Sequence, residues 1–299
     1  MTPTTASTRQ TLSYLRNLFA ERGIRPKNKL GQNFLIDLNL LDLLLRSAEL
    51  TREDLALEVG SGTGGLTVRL VEQAGAVVSV ELDPAFAALT DEEVKQRERV
   101  ALLHADILKT KNELNPEVRR TIENLAQRCG TRHVKLVSNL PYAVAVPVLT
   151  NLLLSDLTVE RMVATVQWEI AERLLAAPST KAYGALAVLV QSLADVELVR
   201  RLSPKVFWPR PQVDSAIVCI RPRADKRRHV GDPLRFRAFL RDLYVHRRKN
   251  LRGALAALPN RDLSKSDVDV RLAELGIDGT TRAEALDLEQ HLRLCGTFS

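Results

Sequence analysis

Apolar positions along this chain alternate between two rhythms. Short, almost wholly apolar runs at 55–59, 76–80, 100–103, 134–137 and 162–166 read as buried strands, and runs at 196–199 and 215–220 as two final ones. Between them the apolar residues take helical spacing. Over 11–23, Leu12, Leu15, Leu18 and Phe19 share one face and Gly23 supplies a stop; 37–49 follows Asp37 as N-cap; 66–73, 169–176 and 183–193 have the same character. Strands alternating with helices predict a parallel α/β sheet. The polar stretch from Lys109 to His133 breaks this rhythm. Val118, Ile122 and Leu125 give it a partly helical pattern, but it is longer than a usual connection and reads as an insertion near 109–133. Beyond Asp225 only helical patterns occur, at 233–258, 266–275 and 282–294. A boundary is expected at Arg221-Pro222-Arg223, before the charged Lys226-Arg227-Arg228, giving a first domain over 1–224 and a helical second domain over 225–299.

Composition adds one strong constraint. Of 299 residues, 45% are hydrophobic and 26% charged, the balance of a globular protein rather than a disordered or fibrous one. No apolar run approaches the ~18 residues that span a bilayer, and the N-terminus lacks a secretory pattern. Cys129, Cys219 and Cys295 are scattered without metal spacing, so neither a disulfide framework nor a zinc site is expected, and a reducing cytoplasm is. The net charge is +7, yet sixteen Lys and Arg against four Asp and Glu crowd into 200–252, leaving the rest of the chain acidic. A basic block on an acidic chain points to a polyanion, and so to nucleic acid.

The candidate chemistry gathers where strands end. After the run at 134–137 come Asn139-Leu140-Pro141-Tyr142. The Asn139 side chain offers a carbonyl acceptor. Pro141 fixes its own φ and extends Leu140, whose carbonyl can then face the same donor. Tyr142 can stack on an unstacked base. Glu58-Val59-Gly60-Ser61-Gly62-Thr63-Gly64-Gly65 joins a strand to a helix, and its glycines permit a tight turn and close approach of a ligand. Glu81 ends the following strand, where a carboxylate can take both ribose hydroxyls; Asp106 lies past the next, where one can take an adenine amino group. Together these describe a nucleoside site with no pyrophosphate demand, which suits S-adenosylmethionine. His104 beside Asp106 reads as structural, and His229 and His246 as surface groups. No Ser/His/Asp set, His pair or CxxC points to hydrolysis or to a metal.

Read in order, the motifs resemble the ribosomal RNA adenine N6-dimethyltransferase family, the kind that modifies two adjacent adenines near the 3′ end of small-subunit rRNA. The resemblance starts at Lys29-Leu30-Gly31-Gln32-Asn33-Phe34-Leu35 and passes through the glycine loop, Glu81, Asp106 and the Asn139 turn. It continues through Gln167-Trp168-Glu169-Ile170-Ala171-Glu172-Arg173, Tyr183-Gly184 and the segment from Phe207-Trp208-Pro209 to Asp214-Ser215. It ends at Arg247-Arg248-Lys249-Asn250-Leu251 and Arg282-Ala283-Glu284. It implies a Rossmann-like class I S-adenosylmethionine-dependent methyltransferase domain followed by a small all-helical domain. It implies that Asn33, Leu35, Gly60, Gly62, Glu81, Asp106 and Asn139 hold the methyl donor. Asn139, Leu140 and Tyr142 would hold the target base, with Phe207 as a second stacking face. Arg247, Arg248 and Lys249, in the basic block, are expected to meet RNA. The expected partner is small-subunit rRNA within an immature subunit, met by a cytoplasmic monomer without metal or membrane. Ala105 stands where the family usually has Gly, Ser61 where it often has Pro, and 109–133 exceeds the family's usual length. Two alternatives stay open: a large-subunit rRNA methyltransferase of the antibiotic-resistance type, and a mainly non-catalytic assembly factor.

Overall fold

Capping residues set the helix boundaries. In the computed structural model, which describes residues 11–27, 31–95, 97–259 and 263–299, α1 (Leu12–Arg22) starts where the Thr11 hydroxyl accepts from the Tyr14 amide and stops at Gly23, in the left-handed region at φ 63°. Lys29 and Leu30 of the N-terminal motif lie outside the described residues. After β1 (Phe34–Leu35), Asp37 caps α2 (Leu38–Ala48) by accepting from the Asn39 and Leu40 amides. There follow β2 (Asp54–Val59), α3 (Gly65–Gln73), β3 (Ala76–Glu81), α4 (Pro84–Val94), β4 (Val100–His104), a hairpin of β5 (Leu108–Thr110) and β6 (Glu113–Leu114), α5 (Pro116–Cys129), β7 (His133–Asn139), α6 (Ala145–Leu154), β8 (Val159–Gln167) and α7 (Trp168–Leu175). Then come α8 (Ala185–Gln191), β9 (Ala194–Leu202), β10 (Phe207–Trp208), β11 (Ser215–Pro222), α9 (Ala224–Val230), α10 (Pro233–Val245), α11 (Leu251–Leu255), α12 (Lys265–Glu274) and α13 (Leu288–Phe298).

The chain forms two compact units, Met1–Ala171 with Glu197–Arg221, and Glu172–Val196 with Pro222–Ser299. The first is built on a seven-stranded sheet in the order β4-β3-β2-β7-β8-β11-β9. β4 through β8 run parallel, and β11 returns antiparallel to β8. On one face Ala56, Val77, Val137, Val163 and Ile217 pack with Leu41, Leu44 and Leu45 of α2 and with Leu66 and Leu70 of α3. The alternate residues Leu55, Leu57, Val78, Val80 and Leu136, all nearly inaccessible, point the other way. The chain leaves β2 toward β3 and β4, then returns to place β7 on the other side of β2. Such a reversal opens a crevice beyond the carboxyl ends of the central strands.

The expected insertion is corrected by this topology. Helix α5 is the crossover from β4 to β7; its Val118, Ile122 and Leu125 are buried, and it packs on β2, β3 and β4. Its outer face is charged, so the sequence of this crossover reads as an excursion from the sheet rhythm. Helix α4 was not anticipated because its apolar residues follow no clean period, and α6 because it is apolar nearly all round.

In the second unit the stretch 233–258 is two helices rather than one: α10 ends at Val245, and Asn250 caps α11. Helix α8 packs on α10 and α13, so this unit takes in residues 172–196, ahead of the boundary expected at 224. Its core holds His291, fully buried, with Nδ1 2.7 Å from the Asp287 carbonyl and Nε2 3.1 Å from the Tyr244 hydroxyl. Burial pushes the His291 pKa down to about 4, so the ring is neutral near pH 7.

Candidate active site

The glycine loop between β2 and α3 needs its glycines for two reasons. Gly60 and Gly62 have φ of 82° and 56°, where side chains are strained. A Cβ at Gly62 would also lie 2.8 Å from the Phe34 ring. The loop therefore lies bare against the pocket. Gly60 N–H donates to the Val80 carbonyl at 2.7 Å, tying the loop to the end of β3.

Glu81 closes that strand and is only 7% exposed. Its Oε2 accepts from Gly62 N–H and its Oε1 from Asp83 N–H, both at 2.9 Å. Burial raises its pKa, opposed by these backbone donors. Each oxygen keeps lone-pair capacity toward the pocket, the arrangement that two vicinal hydroxyls require. Below the loop, Glu58 Oε2 accepts from the Ser79 hydroxyl at 2.8 Å and from that of Thr67. Complete burial pushes its pKa up to about 7 despite these bonds. Asp106, exposed just past β4, turns Oδ1 onto the Leu108 amide at 2.9 Å, leaving Oδ2 for a ligand.

Asn139 ends β7. Its Nδ2 donates to the Asn33 carbonyl at 2.7 Å, and its Oδ1 accepts from the Thr165 hydroxyl of β8 at 2.5 Å. A backbone carbonyl can only accept, so the amide has one sensible orientation, with Oδ1 retaining a second lone pair. The Leu140 side chain is buried, yet its backbone carbonyl receives no hydrogen bond among the described residues. Pro141 packs over Gly60. Tyr142 is half-buried and anchored by a 2.6 Å bond between its hydroxyl and Ser215 Oγ. Burial raises its pKa, so the phenol stays protonated.

One cavity of about 200 Å³ brings together Asn33, Leu35, Gly60, Gly62, Glu81, Asp106 and Asn139, all seven residues expected to hold the donor. Phe34, Phe86 and Ile107 give it apolar walls. Leu140 and Tyr142 lie just outside the lining. Phe207 is 2% exposed, pairs with Leu35 between β1 and β10, and belongs to the core under α2; it shows no free ring face. Arg248 and Lys249 are exposed in the second unit, whereas Arg247 is committed there to Glu284 at 3.0 Å and to the Lys181 carbonyl. Among residues that sequence reasoning missed, Thr165 and Ser79 sit inside apolar strands and betray themselves only as hydroxyls in otherwise hydrophobic runs. Asp83 was missed as well: it accepts from Gln32 and pairs with Lys27 at 2.9 Å, fastening the N-terminal arm to the site. At the opposite end of the sheet Asp54, His133 and Glu160 cluster, but Lys135 already pairs with Asp54 at 3.0 Å.

The ribosomal RNA adenine dimethylase family model matches residues 23–298. The chain belongs to this family. It is 35% identical over 280 residues to the ribosomal RNA small subunit methyltransferase A of Pediococcus pentosaceus, covering 93% of this chain and 92% of that one. To the protein of the same name from Clostridium botulinum (strain Kyoto) it is 36% identical over 266 residues, covering 89% and 91%. A dimethyladenosine transferase from Plasmodium falciparum shares the fold at a TM-score of 0.69 and 22% identity, over 86% of this chain and 94% of that one. The 23S rRNA methyltransferase ErmE aligns at a TM-score of 0.60 and 25% identity, over 89% and 99%. The fold is that of class I methyltransferases, and as a family member the chain is an S-adenosylmethionine-dependent rRNA adenine dimethyltransferase. The cavity fits that donor: a bare glycine loop, a buried carboxylate at the next strand end and a second acid past the third.

Two outcomes follow from this geometry. Replacing Glu81 or Asp106 by Ala should weaken S-adenosylmethionine binding about ten- to a hundredfold, the equivalent of one lost charged hydrogen bond. Titration calorimetry reads this directly, and unchanged affinity in both variants would contradict the assignment. Glu58 ionises near 4.5 when unfolded but holds its proton to about 7 in the fold. Its contribution is therefore complete below pH ~4.5 and fades as pH rises through 7, by roughly 3 kcal/mol in all. Glu58→Gln should flatten the pH dependence of Tm over that window; a parallel pair of Tm curves would show that Glu58 does not titrate there.

Proposed function

We propose that this enzyme dimethylates the N6 groups of two adjacent adenines near the 3′ end of small-subunit rRNA, acting on an immature subunit. The observation that carries the target is the identity of about a third, over nine-tenths of both chains, to proteins named small subunit methyltransferase A. The likeness to ErmE is weaker in sequence and points to large-subunit rRNA, the second reading. A non-catalytic assembly role fits poorly with a cavity in which every donor-binding candidate and Asn139 are in place.

The chemistry asks little of the protein beyond placement. S-adenosylmethionine, when bound, supplies an electrophilic methyl group on a sulfonium centre. Glu81, Asp106 and the glycine loop hold the donor. Asn139 Oδ1 and the unpartnered Leu140 carbonyl accept from the two N–H groups of adenine N6, drawing its lone pair out of ring conjugation. Both acceptors are fixed before the base arrives, so little reorganisation is required. Tyr142 stacks on the extruded base. Extrusion costs a few kcal/mol and least where the RNA is already looped. Each transfer would break a methyl–sulfur bond of the donor, form a methyl–nitrogen bond at N6 and release one N6 proton to water, so after the first N6 keeps a single N–H and one acceptor suffices for the second.

The first unit, Met1–Ala171 with Glu197–Arg221, would carry donor binding and catalysis, and the second, Glu172–Val196 with Pro222–Ser299, RNA contact, through Arg248 and Lys249 chiefly and Arg247 less, because Glu284 already neutralises it. The protein would act as a cytoplasmic monomer without metal or membrane; the three free cysteines suit a reducing compartment.

The direct test is incubation with labelled S-adenosylmethionine and undermethylated small subunits, then nucleoside analysis. Dimethyladenosine in small-subunit rRNA is expected; label confined to large-subunit rRNA would move the enzyme to the second reading. Changing Arg248 and Lys249 together to Gln should weaken RNA binding regardless of sequence and lower its log–log salt slope by about two. An unaltered slope would mark these charges as a solvated face only.

A further inference from the structure

We infer that Arg201, held over the Trp168 ring beside the Asn139-Leu140-Pro141-Tyr142 turn, is a platform on which a base flanking the target adenine stacks. This rests on the reading that the enzyme methylates an unstacked RNA adenine, and extends recognition to a neighbouring nucleotide. The antiparallel register of β8 and β11 sets Gln167 opposite Ser215, the residue whose hydroxyl holds Tyr142. Trp168 comes next, and its N–H donates to the Asp214 carbonyl at 2.9 Å. From β9, the Arg201 guanidinium carbon lies 4.2 Å from the centroid of the Trp168 ring. Its Nε and Nη2 both reach Asp214 Oδ2, at 2.9 and 2.7 Å. The guanidinium carbon thus sits over a ring and one edge is tied, while 55% of the Arg201 side chain stays exposed. That exposed part is what a base can reach.

Pinning an exposed arginine costs side-chain entropy, and a surface ion pair returns little of it. A structural role alone gives no reason to hold a guanidinium over a ring at the surface. The surroundings suit RNA: Arg200, Lys205 and Arg210 are exposed on the same stretch of chain, and Val213 is 44% exposed among them. Guanidinium planes and aromatic rings are the surfaces on which splayed bases stack. The position also fits. Thr165 holds Asn139, and Trp168 is three residues further on, about 10 Å at the rise of a strand. A nucleotide one or two places from the extruded adenine spans that distance.

The test separates a stacking plane from a mere charge. Arg201→Lys keeps the charge but loses the plane, and Trp168→Ala removes the support beneath it. Each should weaken binding of undermethylated small subunits, and of a single-stranded adenine-containing RNA oligonucleotide, by about tenfold, the loss that one stacked base represents. Trp168→Phe should stay within about threefold of wild type, because a ring remains under the guanidinium. KM for the subunit should rise with kcat retained, and S-adenosylmethionine affinity by calorimetry should not move. If Arg201→Lys binds like wild type, or if Trp168→Ala does, the platform is refuted. Failure of the wild-type enzyme to methylate small subunits would count against the proposed function instead, while the oligonucleotide affinities would still decide the platform.

Discussion

Asn139 is held at both ends of its amide, and most of the structure serves that restraint. Its nitrogen is bound by the Asn33 carbonyl from the N-terminal arm, and its oxygen by the Thr165 hydroxyl from the neighbouring strand. A flipped amide would set oxygen against the Asn33 carbonyl and lose that bond. The restraint joins three segments far apart in the chain, and each is fixed by something else. β7 and β8 are registered Asn139 to Thr165 by their parallel ladder. The arm is fixed by the pairing of β1 with β10 and by Asp83, which accepts from Gln32. In the proposed mechanism this restraint gives an acceptor aimed before any substrate binds, so that placement alone lowers the barrier.

The donor side follows a different economy. The glycine loop brings its backbone to the cavity, and a carboxylate at the end of the next strand holds it. Glu81 holds Gly62 through its amide, while Glu58 is buried beneath and bound by two hydroxyls. Burying a carboxylate penalises its charge, which is why both ionise less readily than an exposed glutamate. That cost is borne where strand order reverses between β2 and β7, beside the cavity.

What could be read from the chain alone was whatever a short window contains. The strand-end acids, the glycine loop and the Asn139 turn each sit at a change from apolar run to polar loop, and the five residues named from them, Gly60, Gly62, Glu81, Asp106 and Asn139, line the cavity; Asn33 and Leu35, which line it too, were named only from the family resemblance. What could not be read were pairings between distant strands. Thr165 and Ser79 are hydroxyls inside apolar runs, and nothing local says which carboxylate or amide they face. Helix α5 was mistaken for an insertion because a crossover helix shows the sequence mostly its solvent side. Phe207 was expected to offer a ring face but pairs with Leu35 in the core, a fate set by the register of β1 with β10 and not by its own neighbours.

The central claim is that the fixed Asn139 amide acts at the transition state. The measurement is single-turnover methyl transfer with donor and small subunits both saturating, for Asn139→Ala and for the positioning variant Thr165→Val. Losing one preorganised acceptor should cost Asn139→Ala on the order of a hundred- to a thousandfold in rate. Thr165→Val, which keeps the amide but releases it, should lose about tenfold and regain none of it at higher donor concentration. An Asn139→Ala rate within a few-fold of wild type would contradict the account.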